Sequence, residues 1–328
     1  MEKVNKILAI NFGGIGDEIL FLPTLISLKK EFPNSSITLA LEPRSKGVKD
    51  FTNIIDDIIL VDIKRKNKYL ELIKFIIKVR SQKFDIGITA GGNKFMSIIL
   101  WLTGIKNRYG YDCGKLSQKL LTVAVPLNKN QYAAKMYHDL VKPLTDNITE
   151  LPQINIAPQE KIPNSILIHP GVSKMSVEKG MIKTITPKIW AETINLLIEK
   201  GKKVILAGGP DDDECITEIL KNIDESKITN MYGKTKNLKE LAELISQAEI
   251  FICSDSAPLH IAVALDTKTY AIFGPTDDKK LIPPTVTPIK ANDNCPLKPC
   301  LWERRQTTCE NLDCLKITAQ NIIDQTGI

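Results

Sequence analysis

Chemistry needs a reactive group held where a ligand can reach it, and the stretch "NFGGIGDEILFLP" offers one: an apolar strand runs through glycines into a helix that opens on Asp17. Unpaired N–H groups and the macrodipole make a helix N-terminus attractive to anions, so this place suits either a bound phosphate or the built-in carboxylate itself. A dinucleotide turn would use Gly14-x-Gly16, with Glu42 at the end of the second strand as the ribose acid. Against it, Ile19 stands where that turn wants a small residue, and Asp17 would face the pyrophosphate. Two roles remain open for Asp17: a cap for its helix, or a general base presented at the mouth of a sheet by a flexible turn.

Three further stretches end strands in small or polar residues. "LIHPGVSKMS" closes on Pro170-Gly171 and then offers Ser173, Lys174 and Ser176, a set of hydroxyls, ammonium and freed N–H groups able to cradle a diphosphate. In "LAGGPDDDE", Gly208 and Gly209 allow a tight turn or the close approach of a ligand to the backbone, and Asp211 to Asp213 read as charges at a helix start. "CSDSAPLHIAVAL" stops a strand at Asp255-Ser256 and starts a helix near Pro258. Asp255 could accept hydrogen bonds from sugar hydroxyls while His260 and the helix start address a phosphate; equally, Asp255 or Ser256 caps the helix and His260 is a satisfied buried residue. Near the C-terminus, Cys295, Cys300, Cys309 and Cys314 form two pairs of C-x4-C, a spacing four thiolates could use for a structural zinc, with reduced thiols or redox-linked pairs as the other readings.

The elements that must carry these groups alternate from the start. "KILAINF", "SITLALE", "IIDDIILVDI" and "FDIGITA" are short apolar strands, and "EILFLPTLISLKKEF" and "KYLELIKFIIKVRSQ" have helical spacing. Strands that are apolar throughout belong to sheets buried on both faces, so the pattern predicts a parallel α/β domain. From Thr145 to Ser165 the helical signal fades and Pro152, Pro158 and Pro163 recur, an extended connection. The alternation restarts at "SILIHPG". We therefore expect two Rossmann-like parallel-sheet domains, residues 1–158 and 159–328, facing across a cleft, which also fits a length of 328 residues.

Composition narrows the class. Apolar residues at 43% and charged residues at 25% describe a folded globular chain, and a net charge of +6 is mild. No run of lysine and arginine is interleaved with aromatics as nucleic-acid binding would need; an anionic small molecule or a negatively charged membrane surface suits the charge. "MEKVNKILAINF" has too short an apolar run for a signal peptide, and no stretch approaches the roughly 20 apolar residues of a membrane span. Scattered Cys113, Cys215 and Cys253 suit a reducing compartment, so the expected location is cytoplasmic.

Taken together, "IGDEILFLPTLISLKKEFP", "IHPGVS", "LAGGPDDDE", "YGKTKNLKELAELISQAEIFICSDSAPLHIAVAL" and "AIFGPT" resemble, in order and spacing, glycosyltransferase family nine, the ADP-heptose:lipopolysaccharide heptosyltransferase-like proteins. The resemblance covers nearly the whole chain and implies a two-domain GT-B architecture, with the acceptor held mostly by the N-terminal domain and the nucleotide-sugar donor by the C-terminal one. It implies Asp17 as catalytic base and Lys183, seven positions before Trp190-Ala191, as a donor-phosphate lysine. It likewise implies Asp255, Ser256 and His260 as the donor loop and Gly274, Pro275 and Thr276 as the next strand-end loop. Two departures stand out: Ala257 replaces the family's usual glycine, and "VSKMSVEKGMI" is an insertion expected over the donor cleft.

The resulting expectation is an inverting, metal-independent transferase that needs no cofactor, uses an ADP-sugar of heptose type, and acts on a glycolipid or cell-envelope glycan. Peripheral contact with the inner face of the cytoplasmic membrane goes with that acceptor. Arg304 and Arg305, beside the cysteines, are candidates to meet an anionic acceptor or to lie in a solvated loop. A nucleotide-sugar-binding protein without activity and an NAD-dependent oxidoreductase are the alternatives.

Overall fold

The computed structural model describes residues 4–64, 66–292, 295–301, 309 and 311–328; Arg304 and Arg305 lie outside them. The chain divides into two compact units, Met1–Asn155 and Ile156–Ile328.

In the first unit six strands, β1 (Lys6–Ile10), β2 (Ser36–Leu41), β3 (Asp57–Leu60), β4 (Ile86–Thr89), β5 (Asn107–Tyr111) and β6 (Val123–Val125), form one sheet in the order β3-β2-β1-β4-β5-β6. All five pairings are parallel. Helices α1 (Ile15–Glu31), α2 (Lys68–Gln82), α3 (Lys94–Leu102), α4 (Lys115–Leu120) and α5 (Ala133–His138) connect and cover it. Ile7, Leu8, Ala9 and Ile10 are all fully buried, as a central strand with a helical layer on each face must be.

The second unit repeats the plan. Strands β7 (Ile162–His169), β8 (Lys203–Leu206), β9 (Thr229–Asn230), β10 (Ala248–Ser254), β11 (Thr269–Phe273) and β12 (Thr287–Lys290) pair in the order β12-β11-β10-β7-β8-β9. Its helices are α6 (Lys174–Glu178), α7 (Pro187–Glu199), α8 (Asp213–Leu220), α9 (Leu238–Gln247), α10 (Ala257–Ala264), α11 (Asp278–Leu281) and α12 (Ala319–Thr326). Counted within the unit, this is the same doubly wound order as in the first. The core gathers on Trp190 of α7, which is fully buried among Ile166, Ile168, Val204 and Ile252. Thr186 caps α7 and Pro187 fills its first position, where a missing N–H costs nothing.

The order reverses between β1 and β4 in one unit and between β7 and β10 in the other, and ligands of open α/β sheets gather outside the carboxyl ends of strands at such points. Asp17 follows β1, Ser173 and Lys183 follow β7, and Asp255 follows β10.

Candidate active site

In the first unit the turn after β1 is closed by Asp17 itself. It is the third residue of α1, and its Oδ2 accepts the Gly14 N–H at 2.8 Å, so the carboxylate caps the helix from within. The turn must be glycine: a Cβ on Gly13 would overlap the Asp17 Cβ. The other carboxylate oxygen, Oδ1, accepts the Tyr137 hydroxyl from α5 at 3.1 Å. Tyr137 is buried against Phe21 with ring centroids 5.7 Å apart, and burial followed by the nearby Asp17 carboxylate raises its pKa, so it remains a phenol that donates. Each carboxylate oxygen can accept two hydrogen bonds, so Asp17, only half-buried, keeps acceptor capacity for a substrate hydroxyl.

Two further acids surround this turn. Glu18 is fully buried, and neither of its oxygens has a hydrogen-bond partner among the described residues. Burial, then the charge of Asp17, holds its pKa well above the ordinary value; the nearby Gly13 amide opposes this, the Glu42 charge adds to it, and Arg44 lowers it slightly. Glu42 is buried just past β2, where its Oε2 accepts Arg44 Nε and Lys64 Nζ, each at 2.8 Å. The acid a dinucleotide turn would give to a ribose is therefore already engaged with two cations, while Asp17 fills the anion position.

In the second unit, residues from three strand ends converge. Asp255 is 3% exposed; its Oδ2 accepts the Thr276 hydroxyl at 2.8 Å and the Lys183 ammonium at 3.2 Å, and Lys183 also donates to the Asp255 main-chain carbonyl at 2.9 Å. Behind Lys183, Thr184 donates to the Pro170 carbonyl at 2.8 Å and accepts from Trp190 Nε1 at 3.1 Å. Ser256 precedes α10 as its N-cap residue without capping through its side chain, and His260 is buried in the same helix. Ser173 caps α6, accepting the Ser176 N–H at 3.3 Å.

The glycines divide by role. Gly274 owes its lack of a side chain to Leu315, which a Cβ would meet at 2.5 Å, a packing requirement; Gly208 packs closely on Ile216, 3.1 Å from where its Cβ would lie. Gly209 has nothing nearer its Cβ position than Asp212 at 3.9 Å, and its N–H donates to Asp212 at 2.8 Å. Asp212 stands at the start of α8, as the reading of helix-start charges has it, and is the one of the three acids that turns inward. It is 6% exposed and lies 3.7 Å from His169 Nε2, and its carboxylate takes the space a Gly171 Cβ would need. It thereby ties the loops after β7 and β8 together. Burial drives both partners toward neutrality, lowering the His169 pKa and raising that of Asp212.

The four C-terminal cysteines all line one cavity of about 520 Å³, together with Ile182 and Pro275. Among the described residues, however, no three histidine, cysteine or acidic side chains are placed to hold a metal ion, so the zinc arrangement that the spacing allows is not formed among them. Burial raises the Cys300 pKa, and its N–H anchors the segment to the Pro275 carbonyl at 2.8 Å.

A family model, glycosyltransferase family 9 (heptosyltransferase), matches residues 72–311. The chain belongs to glycosyltransferase family 9. Lipopolysaccharide heptosyltransferase 3 of Escherichia coli is 27% identical over 277 residues, covering 80% of this chain and 81% of that protein. Among solved structures, the family 9 glycosyltransferase of Veillonella parvula superposes with a TM-score of 0.76 at 22% identity, covering 100% of this chain and 97% of that one. E. coli heptosyltransferase WaaC with ADP-2-deoxy-2-fluoro heptose gives 0.76 at 16% identity, covering 98% and 99%. The two six-stranded parallel sheets are those of the GT-B fold, and as a family 9 member the chain is a glycosyltransferase. Its matched segment includes the Lys183, Asp255 and Thr276 cluster. Local reasoning missed Tyr137, Glu18, Arg44 and His169: a tyrosine on a distant helix carries no sequence signal of its contact with Asp17.

Proposed function

We propose that this family 9 protein is an inverting heptosyltransferase that moves a heptose from an ADP-heptose-like donor to a cell-envelope glycan such as lipopolysaccharide core. The observation that carries the reading is the junction of Lys183, Asp255 and Thr276 at the switch point of the second unit. Lys183 has three N–H donors, of which Asp255 takes two in a fixed direction, leaving one for a donor phosphate. Ser173, Ser256, His260 and the start of α10 supply further donors for the diphosphate, with Gly208, Gly209 and Gly274 shaping the loops around it. The relatives named above support the choice of heptose and of a lipopolysaccharide acceptor.

In this reading Asp17 takes the proton of an acceptor hydroxyl, whose oxygen attacks the anomeric carbon on the face opposite the diphosphate. The bond from that carbon to the diphosphate breaks, and ADP departs carrying the electron pair. Lys183, Ser173 and the N–H groups of α10 stabilise the charge that develops on it, the electrostatic contribution that usually dominates such reactions. Tyr137 orients Asp17 and the Gly14 amide fixes its second oxygen. The first unit binds the acceptor and the second the donor, on the cytoplasmic side of the membrane.

A thermal-shift screen tests the reading. ADP and ADP-heptose should stabilise the chain, by about 2.7 kcal/mol at a hundredfold excess over Kd, and NAD should not. A flat response to every nucleotide diphosphate would overturn the donor assignment, and stabilisation by NAD would restore the oxidoreductase reading. Ala257, at the first position of α10, makes a binding protein without activity the second reading; transfer by the wild type that is lost in Asp17→Ala excludes it.

A further inference from the structure

Helix α2 has two apolar faces, and the fold uses only one. Leu72, Phe75 and Val79, spaced three and four apart, are buried in the core of the first unit. On the other side Tyr69, Ile73 and Ile77 repeat every four residues and so stand in one row along the helix, at 63%, 53% and 63% exposure, with Leu70 beside them at 55%. Scattered exposed apolar residues are ordinary, but a continuous row on one helix marks an interaction surface. The row extends toward α3: a Cβ on Gly104 would lie 3.5 Å from Arg80 Nε, which puts the end of α2 beside the end of α3, where Trp101 is 51% exposed.

Charge identifies what the row meets. Residues 64–83 hold eight lysines and arginines and one acid, Glu71, so this short segment carries a larger net positive charge than the +6 of the whole chain. Glu71 is itself engaged by Lys74 at 3.0 Å. Lys66, Lys68, Lys74 and Lys78 are exposed, and the Lys68 ammonium stands 5.2 Å from the centre of the Tyr69 ring. An apolar row flanked by lysines, with tyrosine and tryptophan at its borders, is the arrangement of a helix lying in the plane of a bilayer interface, its lysines reaching anionic headgroups.

We propose that the exposed face of α2, continued by Trp101 of α3, docks this protein on an anionic bilayer surface. Ile73 and Ile77 enter the boundary between headgroups and acyl chains, and the lysines pair with lipid phosphates. Binding needs neither donor nor acceptor sugar, so its failure would leave the transferase reading untouched.

Co-sedimentation of the full chain with vesicles of phosphatidylglycerol and phosphatidylethanolamine tests this, with phosphatidylcholine vesicles as control. The chain should bind the anionic vesicles and be released by high salt. Ile73→Ser with Ile77→Ser should weaken binding roughly tenfold, and Lys74→Gln and Lys78→Gln about fivefold each. Thermal melts should be unchanged, because these side chains face solvent. No binding, equal binding to phosphatidylcholine, or binding indifferent to these substitutions would overturn the proposal. Self-association in sedimentation velocity that the Ile73→Ser, Ile77→Ser variant abolishes, without vesicle binding, would assign the face to a second copy of the chain instead.

Discussion

Lys183 grips Asp255 at two points, its ammonium donating to the main-chain carbonyl at 2.9 Å and to the carboxylate at 3.2 Å. The contact joins the loop after β7 to the end of β10 across the switch point of the second unit. Removing the ammonium leaves a carboxylate that is only 4% exposed with Thr276 as its remaining side-chain donor among the described residues. Lys183→Ala should therefore lower stability by about 3 kcal/mol, the range for breaking a buried pair, and weaken ADP binding as well. Thr276→Val should cost about 1 kcal/mol. Denaturant unfolding and calorimetric titration of ADP check both, and a Lys183→Ala protein that binds ADP like the wild type would refute a phosphate role for the lysine.

Tyr137 is expected to position rather than to react. Tyr137→Phe removes one hydrogen bond to Asp17 and leaves the Gly14 cap in place, so stability should fall by about 1 kcal/mol. The rate of transfer should fall roughly tenfold with donor KM unchanged, because only the direction of the base is affected. Steady-state kinetics would separate this from a donor-binding defect, which would appear in KM.

Glu18 gives a dependence on pH whose sign follows from its raised pKa. The folded protein keeps a proton on Glu18 that the unfolded chain gives up above its ordinary value of 4.5. Stability contributed by this group is thus complete below that value and declines as the pH rises toward the folded-state pKa. Glu18→Gln removes the decline. The variant should melt like the wild type near the ordinary carboxyl pKa and at a higher temperature in mildly alkaline buffer. Parallel melting curves for the two proteins at every pH would show that Glu18 is not held protonated.

Gly171 and Asp212 should be energetically coupled. Gly171→Ala places a methyl where the Asp212 carboxylate lies, at an expected cost of about 1–3 kcal/mol. Adding Asp212→Ala should return part of that cost, so the double variant would be more stable than the sum of the single ones. Additive losses in denaturant unfolding would mean that the two loops are not joined through this carboxylate.

Much of this was legible in the residues. Central strands such as β1 and β10 announced themselves as continuous apolar runs because both their faces are covered. Strands β5 and β6 did not: "NRYGY" and "VAV" lie at one side of their sheet, are only partly buried, and lack the long apolar run that marks a central strand. Asp17 was recognisable as a carboxylate at a helix start, and the structure has it capping that helix while a tyrosine 120 positions away holds its free side. Asp212 was hidden between two other acids, since a run of three aspartates does not say which one turns inward. Lys183 lies in a loop without local periodicity, and only the family pattern singled it out.

The central claim is that Asp17 is the base and that the donor is held in the second unit, independently of it. Asp17→Asn preserves a side chain able to cap the helix while removing the carboxylate. The decisive measurement is transfer of heptose from ADP-heptose to a truncated lipopolysaccharide acceptor by wild type and Asp17→Asn, alongside ADP-heptose binding to each. The account predicts transfer by the wild type, a loss of about 10²–10⁴-fold in the variant, and equal donor affinity in both. Unchanged transfer by Asp17→Asn, or loss of donor binding along with transfer, would contradict it.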